Sequence, residues 1–173
     1  MDPLTAPADT VEWLVDVSEP LADIGPDKIQ EAHTLLTTPT KTKEWSAMDY
    51  APSLSADGSN FVFPEGVSGP LQTGNDFVMK LGIIKGDCHV VEASSSPDRC
   101  VYDMTCSVFW GLLKNRVCYE LVLNNNNDGV VMGRAREVKP GLASVLTPSQ
   151  KYLQEMHRAN LKALNAAFQQ QSN

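Results

Sequence analysis

Two polar residues near the C-terminus have the types and spacing of a small acid–base site. His157 and Asn160 lie three residues apart in a segment of helical periodicity, where they border an apolar stripe that includes Leu153 and Leu164. Residues three or four apart share one face of a helix, and a histidine can act as an acid, a base or a hydrogen-bond donor near neutral pH. We therefore predict that this pair brings polar groups into an apolar interior. The alternative is a partly solvated edge of the stripe.

Two more candidates for chemistry lie in strand-like segments. One segment alternates so that Tyr119 and Leu121 share a face, and a four-residue turn would pair Tyr119 with Arg134 and Leu121 with Met132. Arg134 and Arg136 would then point inward and could bind a carboxylate, an enolate or a phosphate, whereas a shift of one residue would turn both outward. For Tyr119 the alternative is a structural hydrogen bond. The predicted catalytic residues are His157, Tyr119 and Arg134.

The predicted ligand-binding residues are mainly aromatic and long apolar side chains that should form a wall. They are Trp45, Tyr102, Met104, Leu121, Met132, Met156 and Asn160. Tyr102 and Met104 alternate with Asp103, which places Asp103 on the solvated face of its strand. If that assignment is inverted, Asp103 becomes a buried carboxylate and a candidate general base.

The sequence predicts neither a metal site nor a cofactor. Its cysteines lack Cys-x-x-Cys spacing, and we interpret them as reduced, buried side chains rather than as metal ligands or disulfides. These cysteines are Cys88, Cys100, Cys106 and Cys118. His89 and Glu92 are three apart on a predicted strand, so they should lie on opposite faces. A glycine-rich phosphate loop and a nicotinamide fingerprint are both missing.

Size and charge restrict the class of protein. The 173 residues are enough for one domain. A net charge of −7 without a basic cluster argues against nucleic acid as a partner, and no apolar run reaches the roughly 20 residues that span a bilayer. We expect residues 1–9 to form a flexible tail and residues 10–173 to form the domain. Since the tail has no secretory signature, we expect a cytoplasmic location.

The first third of the chain predicts one strand and short helices. Val11–Ser18 alternates as a half-buried strand, Asp23–Thr37 has helical periodicity, and Lys41–Met48 fits a weaker helical turn. Residues 50–73 contain three prolines and allow at most a short strand near Phe61–Phe63. This part of the chain therefore predicts one half-buried strand, a helical connection and at most short strands after it.

The rest of the chain predicts a meander followed by one long helix. The strand candidates are Asp76–Leu81, Asp87–Ala93, Arg99–Ser107, Arg116–Leu123 and Val130–Val138. Their short, turn-rich connections favour antiparallel neighbours. The helix starts at a capping box with Thr147 as the N-cap and continues to about Phe168. Because a lone sheet cannot bury its inner face, we expect this helix to lie across it.

Several short stretches carry a family resemblance. They are the first strand with its helix, Glu44–Trp45, Gly69–Gly74 before a strand, Arg99–Tyr102 after a Ser-Pro-Asp turn, and the ending Leu142–Phe168. With these stretches in this order, the chain resembles the START-like, Bet v 1-type helix-grip superfamily (SRPBCC), which includes polyketide cyclase/dehydratase-like and lipid-binding proteins. The usual clear second strand is missing from residues 50–73. The resemblance implies an α+β fold in which a curved antiparallel sheet wraps around the long C-terminal helix and encloses an apolar cavity.

We hypothesise that such a protein binds a hydrophobic small molecule and catalyses its cofactor-independent cyclisation, isomerisation or dehydration. A site of this kind works mainly by holding one reactive conformer, with one or two polar groups assisting. The alternatives are a non-catalytic carrier or sensor of a lipid-like ligand and, if no cavity forms, a protein-interaction module. Polar groups that converge on one point would favour the enzyme, and polar groups scattered singly would favour the carrier.

Overall fold

A computed structural model of the chain describes residues 2–47, 59–64, 67, 69–124, 129–141 and 148–169. These residues form a seven-stranded sheet and three α-helices. The strands are β1 (Val15–Leu21), β2 (Phe61–Val62), β3 (Asp76–Leu81), β4 (Ile84–Ser95), β5 (Arg99–Val108), β6 (Leu113–Asn124) and β7 (Val130–Val138). The helices are α1 (Ile29–Leu36), α2 (Thr42–Trp45) and α3 (Gln150–Gln169).

All strands run antiparallel to their neighbours, in the order β1-β7-β6-β5-β4-β3-β2. β2 to β7 follow one another along both the chain and the sheet, and β1 closes the far edge next to β7. α1 and α2 lie in the connection between β1 and β2, while α3 contacts β1, β7 and α2. The sheet packs against α3, and the predicted α+β helix-grip architecture is confirmed.

α3 is amphipathic and turns its apolar stripe toward the sheet. Its buried side chains are Leu153, His157, Asn160, Leu161, Leu164 and Phe168. The backbone amide of Tyr152 donates to the hydroxyl of Ser149 at 3.3 Å, so Ser149 caps the helix. The predicted cap, Thr147, lies outside the described residues, and the helix begins later than that cap implies. In the described part of the chain, no helix is long and apolar enough to cross a membrane.

Gly133 on β7 allows α3 to lie close to the sheet. A Cβ atom at this position would lie 2.7 Å from Cδ1 of Leu21 and 3.0 Å from Cδ2 of Leu161, and both leucines are buried. A closely packed core has no space for an added methyl group. A glycine here therefore lets β1, β7 and α3 meet.

The bounds predicted for β3 and β7 agree with the structure, whereas the first strand starts later than predicted. Strand pairing begins at Val15 rather than Val11. Trp13 lies on the outer face of the sheet, where its ring centroid is 5.5 Å from the guanidinium carbon of Arg116 and 5.0 Å from that of Arg136. Stacking of cations on an indole face is favourable. These contacts hold the segment before β1 against the sheet.

The N-terminal segment also lies against this outer face. Arg116 of β6 donates from Nη1 to the backbone oxygens of Pro3 and Ala6, at 3.0 and 2.5 Å. Its Nε and Nη2 donate to the carboxylate oxygens of Asp103 on β5, at 2.9 and 2.6 Å. Asp103 lies on the predicted face, but the expectation that it is solvated is wrong, because the docked segment and Arg116 bury it completely. Arg116 thus connects the N-terminal segment to the outer face of the sheet.

Candidate functional site

A cavity of about 400 Å³ lies between the inner face of the sheet and the N-terminal half of α3. Apolar and aromatic side chains form most of its wall. They include Trp45, Phe77, Tyr102, Met104, Val117 and Met156. Tyr119 and Glu137 supply polar groups to the same wall. Among the predicted ligand-binding residues, Trp45, Tyr102, Met104 and Met156 therefore share one cavity.

Four polar side chains form one hydrogen-bonded group at this wall, which we call the Tyr119 network: Tyr119, His157, Glu137 and Asn160. The hydroxyl oxygen of Tyr119 lies 3.0 Å from Nδ1 of His157 and 2.7 Å from Nδ2 of Asn160. Nε2 of His157 lies 2.7 Å from Oε2 of Glu137. Each of these residues is at most 3% exposed. The two helix residues identified by their spacing thus meet β6 and β7 at one point.

The contacts of Glu137 and Asn160 determine which atoms of the network donate hydrogen bonds and which accept them. The Glu137 carboxylate only accepts, so Nε2 of His157 carries a proton, and in the neutral imidazole Nδ1 accepts from the Tyr119 hydroxyl. Oδ1 of Asn160 accepts from the backbone N–H of Ala47 at 2.8 Å, which turns the amide N–H of Asn160 toward Tyr119. In such an arrangement the histidine can take the proton of a hydroxyl while the carboxylate stabilises the imidazolium.

Glu137 is held as a carboxylate within this buried group. Burial acts to raise its pKa, but the hydrogen bond from His157 and the positive charge of Lys139 outweigh burial, and the pKa of Glu137 lies below its ordinary value. Nζ of Lys139 and Nδ2 of Asn115 each lie 3.2 Å from Oε1. An ionised Glu137 is the acceptor that the direction of the network requires.

Stability should fall with decreasing pH as Glu137 becomes protonated. A carboxyl group whose pKa is lowered on folding stabilises the native state above its unfolded pKa of about 4.3, and this contribution is lost as the pH falls through the folded pKa. In urea unfolding between about pH 6 and about pH 3, the free energy of unfolding should decrease less for Glu137→Gln than for the parent protein. Glu12→Gln, at an exposed position, is the matched control. Its free energy of unfolding should change with pH with the same slope as that of the parent protein. Equal slopes for all three proteins would contradict this role of Glu137.

Trp45 supports Tyr119 from the side. Their ring centroids are 5.3 Å apart and their planes are inclined by 77°, which is an edge-to-face contact. The indole Nε1 of Trp45 is buried and has no hydrogen-bond partner among the described residues. Because a buried donor without a partner costs free energy, and because Trp45 lies on the cavity wall, this N–H is a candidate donor to a ligand.

The structure contradicts the predicted position of Arg134 and Met132. Across β6 and β7, Glu120 pairs with Arg134 and Val122 pairs with Met132, one residue away from the predicted register. Since side chains alternate between the two faces of a sheet, Arg134, Met132 and also Arg136 lie on the outer face. The spacing of the strand residues alone does not determine this register.

On the outer face, Arg134 takes part in an exposed ion pair instead of an inward site. Its Nε donates to the carboxylate of Asp16 at 2.7 Å, and its side chain is 44% exposed. The hydrogen bond from Arg134 lowers the pKa of Asp16 below its ordinary value. A catalytic role for Arg134 in the cavity is therefore incompatible with its position.

Leu121 and Asn160 lie outside the cavity lining, although the sequence predicts both as ligand-binding. Leu121 is fully buried opposite Gly133 and Cys100 on the neighbouring strands. Asn160 reaches the Tyr119 hydroxyl from the helix side. Both side chains support the wall rather than form it.

Glu137 is the candidate that sequence reasoning misses. With the observed register, the inner face of β7 is formed by Val131, Gly133, Ala135 and Glu137. The predicted register turns Glu137 outward because it turns Arg134 and Arg136 inward. The apolar and small residues at the odd positions are the signal in the sequence that favours the observed face.

The chemistry available at this wall is proton transfer by side chains. Tyr119 offers a hydroxyl, His157 can accept its proton, and Glu137 stabilises the charge that results. Within the described residues, no three His, Cys, Asp or Glu side chains are grouped so that they could hold a metal ion.

Solved structures share this arrangement at low sequence identity. A hypothetical protein, jhp0584 from Helicobacter pylori, is 15% identical with a TM-score of 0.62, and the match covers 96% of each chain. Ara h 8.0201 is 12% identical with a TM-score of 0.53, over 92% of this chain and 97% of that chain. DynU16, a protein of the dynemicin biosynthetic locus, is 15% identical with a TM-score of 0.53, over 90% of this chain and 46% of DynU16.

These likenesses concern the fold and not the sequence. No family model matches the chain, and no curated protein matches it either. In the described residues, the seven-stranded antiparallel sheet, the short helices after β1 and the long C-terminal helix are consistent with the helix-grip fold. The chain therefore has the helix-grip fold, which it shares with Ara h 8.0201.

Proposed function

We propose that this protein binds a hydrophobic small molecule in the cavity and catalyses its cofactor-independent cyclisation, isomerisation or dehydration. The observation that supports this proposal most is the convergence of Tyr119, His157 and Glu137 at one point of an apolar wall. Polar side chains that only fill a core need not open onto a cavity, whereas Tyr119 and Glu137 do. The fold neighbour DynU16 comes from a biosynthetic locus, which agrees with small-molecule chemistry.

The size and lining of the cavity indicate the class of ligand. Small-molecule sites typically have volumes of about 300–1,000 Å³, so a cavity of about 400 Å³ suits a compact ligand. Phe77, Tyr102 and Met156 offer aromatic and apolar contacts. The N–H of Trp45 has no partner among the described residues and is suited to donate to an oxygen atom of the ligand. A hydrophobic molecule that carries a carbonyl group fits these features.

Cyclisation, isomerisation and dehydration of such a molecule can all begin with proton transfer at a carbon beside the carbonyl group. In the proposed step, the Tyr119 proton moves to Nδ1 of His157, and the phenolate oxygen takes the proton from that carbon. Glu137 stabilises the imidazolium, and the Trp45 N–H donates to the enolate oxygen. Return of the proton to another carbon completes an isomerisation, and its transfer to a leaving hydroxyl completes a dehydration. In a cyclisation, the enolate carbon attacks a second carbonyl group, whose oxygen takes the proton.

A carrier or sensor of a lipid-like ligand is the second candidate function. His157 and Asn160 are completely buried, and their hydrogen bonds would also suit a purely structural network. This observation favours a carrier, because a carrier needs no reactive side chain. Both functions need the cavity, but only the enzyme needs the Tyr119 hydroxyl. Binding and turnover therefore require separate experiments.

Filling the cavity is expected to abolish ligand binding. Val117 is a buried wall residue, so Val117→Trp places an indole in the space that a ligand would occupy. The affinity for the fluorescent probe 8-anilinonaphthalene-1-sulfonate should fall at least about tenfold, which corresponds to about 1.4 kcal/mol. Val122→Trp adds the same bulk on the outer face of the same strand and should bind the probe like the parent protein.

Equal binding by the two tryptophan variants would place the probe elsewhere on the surface and contradict binding in the cavity. Thermal unfolding followed by circular dichroism shows whether Val117→Trp is folded. Val117→Phe is a smaller addition to the same wall and should weaken binding to an intermediate degree.

A further inference from the structure

Cys88 and Cys106 place two thiols side by side on the cavity wall. They face each other directly on β4 and β5, and their sulfur atoms lie 2.8 Å apart. Both residues belong to the cavity lining. Facing residues on antiparallel strands have Cα atoms about 4.5–5.5 Å apart, which is within the range that a disulfide bridges. The backbone therefore holds the two cysteines at a separation that a disulfide can bridge.

Gly86 makes room for this pair. A Cβ atom at Gly86 would lie 2.9 Å from Sγ of Cys106. Gly86 precedes Cys88 by two residues on β4, so both face the same side of the sheet. Any other residue at this position would press against the Cys106 sulfur, and the glycine leaves that sulfur beside Cys88.

The other two cysteines are in different surroundings. Cys100 and Cys118 face Leu121 and Asp103 on β6 and β5, and burial raises the pKa of each thiol to about 12. Cys106 is only half-buried, and a hydrogen bond from the Cys88 thiol lowers its pKa. Since the thiolate is the reactive form of cysteine, Cys106 is the most suitable nucleophile of the four.

We propose that Cys88 and Cys106 form a reversible dithiol–disulfide site that reacts with low-molecular-weight disulfides. The Cys106 thiolate attacks one sulfur of the reagent, whose S–S bond breaks and releases a first thiolate. Cys88 loses its proton to solvent and attacks Sγ of Cys106, which breaks the mixed disulfide and releases a second thiolate. Two protein thiols are thus oxidised as one reagent disulfide is reduced to two thiols.

The oxidised site changes the cavity without involving the Tyr119 network. A Cys88–Cys106 bond joins β4 to β5 at the wall and removes two S–H groups from the surface that a ligand contacts. The cavity then has a reduced and an oxidised form. This inference holds whether or not the cavity performs catalysis.

Thiol counting on the folded 173-residue chain tests the proposal. The protein is incubated with oxidised glutathione, denatured and alkylated with iodoacetamide, and its mass is measured. All four cysteines of the reduced protein should be alkylated, whereas the oxidised protein should take up half as many groups. Dithiothreitol should restore the full number. Peptide mapping without reduction should show Cys88 linked to Cys106.

Variants separate this pair from the remaining cysteines. Cys100→Ser/Cys118→Ser retains the pair and should offer no site to iodoacetamide after oxidation, whereas Cys106→Ser should keep all of its thiols free. Mapping of the parent protein needs no variant, so the test stands even if Cys106→Ser folds poorly. Full alkylation after oxidation, a link between other cysteines, or a glutathione adduct that persists on Cys106 would each overturn the proposal.

Discussion

Arg116→Ala is expected to lower the free energy of unfolding by about 3–5 kcal/mol, because it leaves the buried Asp103 carboxylate without its partner. The two side chains are 1% and 0% exposed, and their hydrogen bonds measure 2.9 and 2.6 Å. The same guanidinium binds the backbone oxygens of Pro3 and Ala6, so the N-terminal segment should detach as well. Urea unfolding measures the loss of stability, and limited proteolysis near the N-terminus measures the detachment.

Arg134→Ala is the matched control for this prediction. Arg134 pairs with Asp16 on the same face, but these side chains are 44% and 38% exposed, and exposed pairs contribute about 0–1 kcal/mol. Arg116→Leu/Asp103→Leu removes both buried charges at once and should recover most of the stability lost in Arg116→Ala. If Arg116→Ala lowers the free energy of unfolding no more than Arg134→Ala does, the buried Arg116–Asp103 pair does not stabilise the protein as proposed.

Tyr119→Phe is expected to lower turnover by about 10²–10⁴-fold, the usual contribution of a positioned acid or base, with little change in ligand binding. The substitution removes the oxygen atom that His157 and Asn160 share and keeps the ring that packs against Trp45. A hydrophobic β-diketone, whose enolisation is followed by ultraviolet absorbance, provides the readout of proton transfer.

Two further variants make this result specific. Tyr152→Phe removes a hydroxyl group from α3 outside the Tyr119 network and should affect turnover far less. His157→Gln removes the proposed acceptor of the Tyr119 proton, so it should lower turnover through the same step as Tyr119→Phe. Because the two substitutions disable one step, the double variant should turn over no more slowly than either single variant. Unchanged turnover by Tyr119→Phe would contradict the catalytic role. It would mean that the Tyr119 network has a structural role and would favour the carrier or sensor function.

Local spacing is sufficient to predict the faces of α3 and β6. His157 and Asn160 share the buried face of the helix, and Tyr119 points inward, as their positions predict. The helical and strand periods are properties of the backbone itself, so they can be read from a few consecutive residues. The catalytic candidates on these two elements were therefore accessible from the sequence.

The register between β6 and β7 could not be obtained in the same way. A difference of one residue turns Arg134 outward and Glu137 inward, and it exchanges the whole inner face of β7. Both faces of β7 alternate well, one with arginines and the other with Val131, Gly133 and Ala135. The pairing of β7 with β1 and β6 in the folded sheet decides between them.

Two features of the outer face depend on structure that local spacing does not show. Asp103 is buried because a segment docks over it through Arg116, which lies 113 positions after Pro3 and 110 after Ala6. A β-bulge at Val90/Glu92 shifts the alternation of β4, so His89 and Glu92 share a face, contrary to the prediction. Neither the distant docking nor the bulge leaves a periodic pattern in the sequence.

The hydrogen bond between Ala47 and Asn160 joins residues 113 positions apart. Because Asn160 and His157 both belong to α3, a nascent chain in which α3 has not yet been made lacks the hydrogen-bond partners that this helix supplies to Tyr119 and Glu137. Contacts between such distant residues are slow to form and come late in folding. The Tyr119 network therefore forms only after α3 has been made, and a truncated translation product that lacks α3 would carry the sheet without this network.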